Sequence, residues 1–426
     1  MNDSRHADPS IVSNDVPPGC SLERLRDLLA TVGASNPFYR RKWGQAIQLP
    51  GSFVDFVERY PFTQKEELVV DQAENPPFGT NLTFPQSSYV RLHQTSGTSG
   101  KPLRWLDTPA TWAAMCEDWR EVFEQAGLTV GDRVLFAFSF GPFLGFWLAF
   151  EAAQQLGALC VAGGGMSSAL RLRVLMENRC TVLCCTPTYA LHLAEELRRE
   201  GLDPQDSAVR LIVVAGEPGG SVPAVRARLS EAWNGARVFD HHGMTEVGPV
   251  TYEHPERPGS LVVMERSFFA EVVEPATGRP LPEGSTGELV LTTLRRTGMP
   301  LIRYRTGDLV KAARVSDSAS GKNLLVLDGG ILGRVDDMVV VRGVNVYPAA
   351  IDEIVRSLCG TAEYRASFDT RPALPELSIE VESSVETAAQ LEARFKQVLS
   401  LRIPSSAVPA GTLPRFEMKA RRWRRL

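Results

Sequence analysis

The residues His93-Gln94-Thr95-Ser96-Gly97-Thr98-Ser99-Gly100-Lys101-Pro102 bring hydroxyls, backbone freedom and one cation together in a short run. Gly97 and Gly100 can reach positive φ and turn successive N–H groups toward a common point. Thr95, Ser96, Thr98 and Ser99 add side-chain donors, and Lys101 adds a point charge. That chemistry suits a polyphosphate. The spacing is not that of a P-loop, which needs G-x-x-x-x-G-K-[ST] running straight into a helix, whereas Pro102 follows the lysine here. Taken alone the run reads equally as a solvated Ser/Thr/Gly surface loop, so its surroundings must decide.

Further groups able to do chemistry cluster where strands end. Ala215-Gly216-Glu217-Pro218 follows one apolar strand, and Asp240-His241-His242-Gly243-Met244-Thr245-Glu246 follows another. Asp308, in Tyr304-Arg305-Thr306-Gly307-Asp308, is expected in a turn after an apolar strand, where a carboxylate accepts hydrogen bonds from a sugar diol. Phe136, Phe138 and Phe140 alternate onto one face, and Phe140 beside Gly141 and Pro142 is the one expected to meet a ligand. Each has a plainer reading. Glu246 suits the start of a helix, Asp308 an ordinary turn, Asp336 and Asp337 a solvated joint, and Lys419 a basic tail. His241 and His242 suit packing, and Cys184 and Cys185 suit a buried strand.

The elements that must position these groups alternate. Ser21 caps a helix carrying Leu22, Leu25 and Leu29 as far as Gly33, and Thr63 with Glu66 forms a capping-box pair opening another through Leu68. Neither segment shows chemistry of its own. Residues 111–127 read as a helix with Trp112, Met115, Trp119 and Phe123 on one face. Strands at 132–138, 157–161, 181–185 and 210–215 are separated by helical segments, the pattern of parallel βαβ units. Such sheets bind ligands at the carboxyl ends of their strands. Beyond Val250, short strands punctuated by Gly and Pro predict a β-rich subdomain. From Val339 a strand, a Gly343 turn, a helix near Pro348, a strand at 377–381 and a helix at 387–401 predict a small α+β unit. The expected fold is therefore α/β: a flexible tail (1–20), a large domain (21–333) with parallel βαβ layers and a β-rich subdomain, a hinge (334–338) and a small mobile α+β domain (339–426).

At 426 residues the chain exceeds one typical core. With 43% apolar and 23% charged residues it reads as an ordinary soluble protein. A formal charge of −4 speaks against nucleic acid or an acidic membrane surface as partner. The cysteines at 20, 116, 160, 180, 184, 185 and 359 form no C-x-x-C pair and read as reduced thiols of a cytoplasmic protein. Residues 1–20 lack the pattern of a signal peptide, and the most apolar run, 134–150, is broken by Gly141, Pro142 and Gly145 before it reaches the roughly 20 residues of a membrane span.

In combination, Ser96-Gly97-Thr98-Ser99-Gly100-Lys101-Pro102, Gly243-Met244-Thr245-Glu246, Tyr304-Arg305-Thr306-Gly307-Asp308 and Gly333-Arg334-Val335-Asp336-Asp337-Met338 resemble the adenylate-forming superfamily. Residues 36–43, 60–68 and Arg342-Gly343-Val344-Asn345-Val346-Tyr347-Pro348 are similar to its phenylacetate-CoA ligase branch. The resemblance implies that a carboxylate attacks the α-phosphorus of ATP to give an acyl-adenylate and pyrophosphate, and that a thiol then displaces AMP. It also implies roles. The Thr95–Lys101 loop holds the β- and γ-phosphates, Thr245 contacts the α-phosphate, and Glu246 binds Mg²⁺. Gly216, Glu217, Pro218, Asp240, His241 and His242 border adenine, and Asp308, with Arg334, takes the ribose. Phe140, Gly141, Ala215, Gly243 and Met244 line the acid pocket. Asp336 is the hinge, Gly343 lines the approach of coenzyme A, and Lys419 bridges the carboxylate and the α-phosphate. His242 stands where many relatives carry Tyr, and Met418 rather than Gly precedes the lysine. The expected substrates are ATP, coenzyme A and an aromatic acid suited to a Phe-lined pocket. Alternatives are transfer to an acyl carrier protein or an amine, or nucleotide binding without turnover. A homodimer is the candidate assembly.

Overall fold

The computed structural model describes residues 20–44, 48–95, 102–317, 321–335, 337, 339–341, 344–360, 362–369, 371, 375–416 and 422–426. The chain opens with helices α1 (Leu22–Ser35), α2 (Pro37–Trp43), α3 (Phe53–Arg59) and α4 (Lys65–Glu74). Ser21 caps α1, its hydroxyl accepting from the Arg24 N–H at 3.2 Å. The predicted Thr63/Glu66 box is displaced by one residue: the Gln64 N–H donates to the Glu67 carboxylate at 2.7 Å. Tertiary structure has claimed Thr63, whose N–H donates to the Arg303 carbonyl at 2.9 Å and whose hydroxyl donates to the Ile302 carbonyl at 2.7 Å.

Strands β1 (Arg91–Gln94) and β2 (Arg104–Asp107) form an antiparallel hairpin with Gln94 opposite Arg104. Next comes α5 (Pro109–Gln125), capped by Thr108 and burying Trp112, Met115, Trp119 and Phe123. There follow β3 (Arg133–Phe136), α6 (Leu144–Gln155), β4 (Leu159–Ala162), α7 (Ser168–Glu177), β5 (Val182–Cys185), α8 (Pro187–Arg199), β6 (Leu211–Val214), α9 (Pro223–Ala232) and β7 (Arg237–Asp240). These strands are parallel, in the order β4-β3-β5-β6-β7, as the βαβ alternation predicts. β5 and β6 are buried along their whole length, and burial pushes the Cys184 and Cys185 thiols up, so they remain neutral.

The chain then turns through a two-residue ladder, β8 (Gly243–Met244) with β9 (Gly248–Pro249), into an antiparallel sheet. That sheet contains β10 (Thr251–Glu253), β11 (Leu261–Val263), β12 (Phe268–Val273), β13 (Thr286–Thr293), β14 (Tyr304–Ser316) and β15 (Asn323–Leu327), with β16 (Gly333–Arg334) against β14. Asp308 lies inside β14 and not in a turn after a strand. Gly307, at φ 75°, lies opposite a register irregularity at Glu288–Val290, so the Thr-Gly-Asp signal marks a bulge within one long strand.

The remaining elements are β17 (Val339–Val341), β18 (Val344–Val346), α10 (Pro348–Cys359), β19 (Tyr364–Asp369), β20 (Glu376–Glu382), α11 (Val385–Leu399), β21 (Ser405–Val408) and β22 (Trp423–Arg425). They enclose a hydrophobic core of their own, from Val339 to Ile403, that includes Ile351, Val355, Ile379, Leu391 and Phe395. Among the described residues no helix is long and apolar enough to cross a membrane.

Candidate active site

Thr245 and Glu246 sit in the tight turn between β8 and β9, which removes the helix-start reading of Glu246. Gly243 is required there, because a Cβ would lie 2.8 Å from the Gly248 carbonyl oxygen and 3.1 Å from Pro249 Cα, both backbone atoms that cannot swing aside. The Glu246 side chain is almost wholly buried, and its carboxylate lies 3.1 Å from Lys65 Nζ at the start of α4. A cation thus already stands at this carboxylate, in a segment whose sequence shows no chemistry. Among the described residues no group of three or more His, Cys, Asp or Glu is placed to hold a metal. A single hard carboxylate fits a Mg²⁺ whose other ligands are phosphate oxygens and water.

The turn is fastened from below. Arg296 Nη1 donates to the carbonyls of Thr245 at 2.7 Å and Glu246 at 3.0 Å, while its other two nitrogens grip Asp107 at the end of β2. The β1–β2 hairpin and the Thr245–Glu246 turn therefore share one buried guanidinium. Thr95 closes the hairpin, its N–H donating to the Leu103 carbonyl at 2.9 Å and its hydroxyl accepting from the Leu103 N–H at 3.0 Å. Ser96, Gly97, Thr98, Ser99, Gly100 and Lys101 lie outside the described residues.

At the carboxyl end of β7 the three polar side chains diverge. Asp240 accepts from the Ser221 hydroxyl at 2.5 Å and from the His241 N–H at 2.9 Å, and burial pushes its carboxyl up to about 6. It holds the Gly216–Ser221 loop against the strand. The His241 ring lies against Trp119, with centroids 4.3 Å apart, and its Nδ1 is 2.6 Å from the Thr251 carbonyl. A carbonyl only accepts, so Nδ1 carries the proton. Burial lowers this imidazole to about 4.

His242 Nε2 meets the Asp308 carboxylate at 3.0 Å, and Arg334 Nη1 meets its other oxygen at 2.9 Å. This brings the β7 end, β14 and β16 together around one buried acid. Glu217 turns toward α8, its carboxylate accepting from the Thr188 N–H at 2.8 Å, and Gly216 supplies the left-handed φ of 92° that its loop needs.

β3 stops at Phe136, so the alternation argument does not reach Phe140, which adopts φ 51° in the connection to α6. Phe140 packs edge-on against Trp147 and Phe150, and Phe138 stacks on Phe146 at 3.8 Å. Gly141 follows at φ 43°, its carbonyl accepting from Trp147 Nε1 at 3.0 Å, and Gln94 of the hairpin donates to the Pro142 carbonyl at 2.9 Å. Ala215 lies at the matching end of β6, its N–H donating to the Cys185 carbonyl at 3.4 Å. Met244 pairs with Gly248.

Asp336, Gly343 and Lys419 lie outside the described residues. What flanks Lys419 is anchored: Arg415 pairs with Glu382 at 2.7 Å before it, and Arg422 pairs with Glu363 after it. Arg415 and Phe416 border the same cleft as Pro218. The residues that sequence reading did not single out are Lys65, Asp107, Arg296 and Ser221. Each acts through a partner remote in sequence, and no local pattern marks them.

Polar groups gathered at the carboxyl ends of a parallel sheet, followed in the chain by a small α+β unit, are the parts of an adenylate-forming type of enzyme. The chain belongs to the AMP-binding enzyme family, matching it over residues 13–294 and matching the AMP-binding enzyme C-terminal domain over 343–424. It is 34% identical to the phenylacetate-coenzyme A ligase of Thermus thermophilus over 85% of this chain and 80% of that protein. It is 31% identical to that of Escherichia coli, over 93% and 92%. A 2-hydroxyisobutyryl-CoA ligase in the postadenylation state is 32% identical, with a TM-score of 0.88 over 95% of this chain and 88% of that one. The same ligase in the thioesterification state, at equal coverage, has a TM-score of 0.71. Equal coverage with a lower score reflects a different arrangement of similar parts, and the arrangement here is more like that of the ligase in its postadenylation state.

Proposed function

We propose that this enzyme is an ATP-dependent acid–CoA ligase that converts an aromatic carboxylic acid to an acyl-adenylate and then transfers the acyl group to coenzyme A, releasing pyrophosphate and AMP. The observation that carries the reading is the His242–Asp308–Arg334 cluster with the Thr245–Glu246 turn beginning three residues along the chain from His242. In this reading Asp308 serves the sugar end and Glu246 the phosphate end of one nucleotide. Charge accumulates on the α-phosphate during the first step, so the protein's task is positioning and electrostatic stabilisation.

In this reading Asp308 takes the ribose hydroxyls with Arg334 beside it. Gly216, Glu217, Pro218, Asp240 and His241 shape the adenine side, and His242 replaces the tyrosine of many relatives. Glu246 holds Mg²⁺, which supplies charge neutralisation to the phosphates. Thr245 contacts the α-phosphate, and the loop from Thr95 to Lys101 receives the departing pyrophosphate. Lys419 neutralises the two anions forced together. The chain divides into a large domain (21–333), a hinge (334–338) centred on Asp336, and a small domain (339–426) that carries Gly343 into the thiol's path. An aromatic acid is supported by the rings of Phe138, Phe140, Phe143, Phe146 and Trp147 beside Gly141.

Carboxylate-dependent exchange of labelled pyrophosphate into ATP tests the activity. Exchange with an aromatic acid is expected, and silence across a broad aromatic and aliphatic panel refutes the ligase reading. Product analysis with CoA, and separately with an acyl carrier protein, identifies the acceptor.

A further inference from the structure

Asp107 and Arg296 form an ion pair with almost no solvent contact, their side chains being 0% and 1% exposed. Arg296 Nε donates to Asp107 Oδ1 at 2.8 Å and Nη2 donates to Oδ2 at 2.7 Å; the Thr111 hydroxyl adds a contact to Oδ1 at 3.3 Å. The third nitrogen reaches the Thr245 and Glu246 carbonyls. Trp105 lies against the guanidinium, with its ring centroid 5.5 Å from Cζ. His93 stacks on Trp112 with Nδ1 4.0 Å from Asp107, and burial lowers this imidazole to about 4, so Arg296 is the cation that Asp107 meets at neutral pH.

Replacing such a buried pair by packed apolar groups often costs a protein no stability, so stability alone does not account for it. A bidentate guanidinium does fix geometry, because its plane and all its donors are set together. Both contacts to the turn use backbone carbonyls, which leaves the Thr245 hydroxyl and the Glu246 carboxylate to face other partners.

We propose that Arg296, held by Asp107, is a positioning residue that locks the Thr245–Glu246 turn to the β1–β2 hairpin, so that the α-phosphate contact and the metal carboxylate keep one fixed position on the hairpin during adenylate formation. The proposal rests on the reading of Thr245 and Glu246 given above. It weights Arg296 toward the first half-reaction, since the metal and the β- and γ-phosphates are gone by the thiol step and only the Thr245 contact to the α-phosphate persists.

Arg296→Lys keeps a charge for Asp107, but one ammonium cannot span two carboxylate oxygens and two carbonyls. With the acid that gives the fastest exchange in the parent, pyrophosphate exchange is expected to fall about 10–100-fold, the range found when groups supporting a metal ligand are altered. Calorimetric titration of ATP across a Mg²⁺ series should show the half-saturating Mg²⁺ concentration rising by a comparable factor. Thiolysis of a supplied acyl-adenylate should fall by a clearly smaller factor than pyrophosphate exchange, because only the Thr245 contact is shared, and its persistence also reports that the protein is folded. Asp107→Asn should reproduce this pattern and serves if Arg296→Lys does not fold; combining the two should add little, because they break one unit. Equal loss of both half-reactions, or an unchanged Mg²⁺ dependence of ATP binding, overturns the proposal. Glu246→Gln separates the two ideas. If it abolishes the Mg²⁺ dependence while Arg296→Lys is silent, only the clamp fails; if Glu246→Gln is itself silent, the metal assignment fails.

Discussion

His241 offers a test whose magnitude follows from its surroundings. In the folded protein the ring is sealed against Trp119 and burial holds it at about 4, whereas the unfolded chain titrates near 6.5. Between those values the unfolded state binds more protons than the folded one, so stability is complete above pH 6.5 and is lost as the pH falls toward 4. The displacement corresponds to roughly 3 kcal/mol, at about 1.4 kcal/mol per pH unit. Asp240 works in the opposite sense. Raised from 3.8 to about 6, it binds more protons when folded and so stabilises the fold as the pH drops through 6. The comparison must therefore be between variants, where the Asp240 contribution cancels. His241→Asn keeps an N–H where Nδ1 donates to Thr251, yet cannot titrate. Urea titrations followed by tryptophan fluorescence between about pH 7 and pH 4 should show the parent losing about 3 kcal/mol more than the variant. Parallel pH profiles for the two proteins would refute burial as the cause.

Three further outcomes follow from the site. Gly243→Ala places a methyl against the Gly248 carbonyl and Pro249, so it should destabilise the protein by about 1–3 kcal/mol and depress pyrophosphate exchange, read by chemical denaturation and by the exchange assay. Asp308→Ala removes the acceptor of His242 and Arg334 and, in the proposed complex, of the ribose; at about 1.5–3 kcal/mol for a charge-assisted hydrogen bond, the KM for ATP should rise roughly 10–100-fold with a smaller change for the acid. Lys419→Ala should abolish adenylate formation while sparing thiolysis of a supplied adenylate, and equal loss in stopped-flow measurements of both steps would contradict its assigned role.

The parallel sheet was legible because strand and helix periodicities are local properties, and β5 and β6 are uniformly apolar in sequence as they are buried in the fold. The cluster at the end of β7 was legible for a similar reason: a run of polar and permissive residues at a strand terminus has little else to do. Misreadings arose where a distant partner decided the outcome. Thr63 has the residue type of an N-cap, but it is drawn into a bridge with Tyr304, and the cap passes to Gln64. Thr306-Gly307-Asp308 has the composition of a turn, but pairing with β13 and β16 keeps it in a strand. Asp107 and Arg296 are 189 residues apart, so neither carries a local sign of the other.

That last pair has a counterpart that explains why the N-terminal helices matter. Arg303, buried and at φ 48°, places two nitrogens on Glu271 at 3.0 and 2.7 Å, while its Nη1 donates to the carbonyls of Val57 and Tyr60, each at 2.6 Å. The arrangement repeats that of Arg296: two arms on a buried carboxylate, and one arm on two carbonyls of a segment that must be held. Arg296 holds the turn bearing Glu246, and Arg303 holds the end of α3, from which the chain runs through Thr63 into Lys65. The two ends of the Lys65–Glu246 contact are thus each fixed by an arginine from the same short connection between β13 and β14. A substitution in that connection should be felt at the phosphates before it is felt in the acid pocket, because the pocket's aromatic residues lie on the connection between β3 and α6 and on α6 itself, and neither arginine touches them.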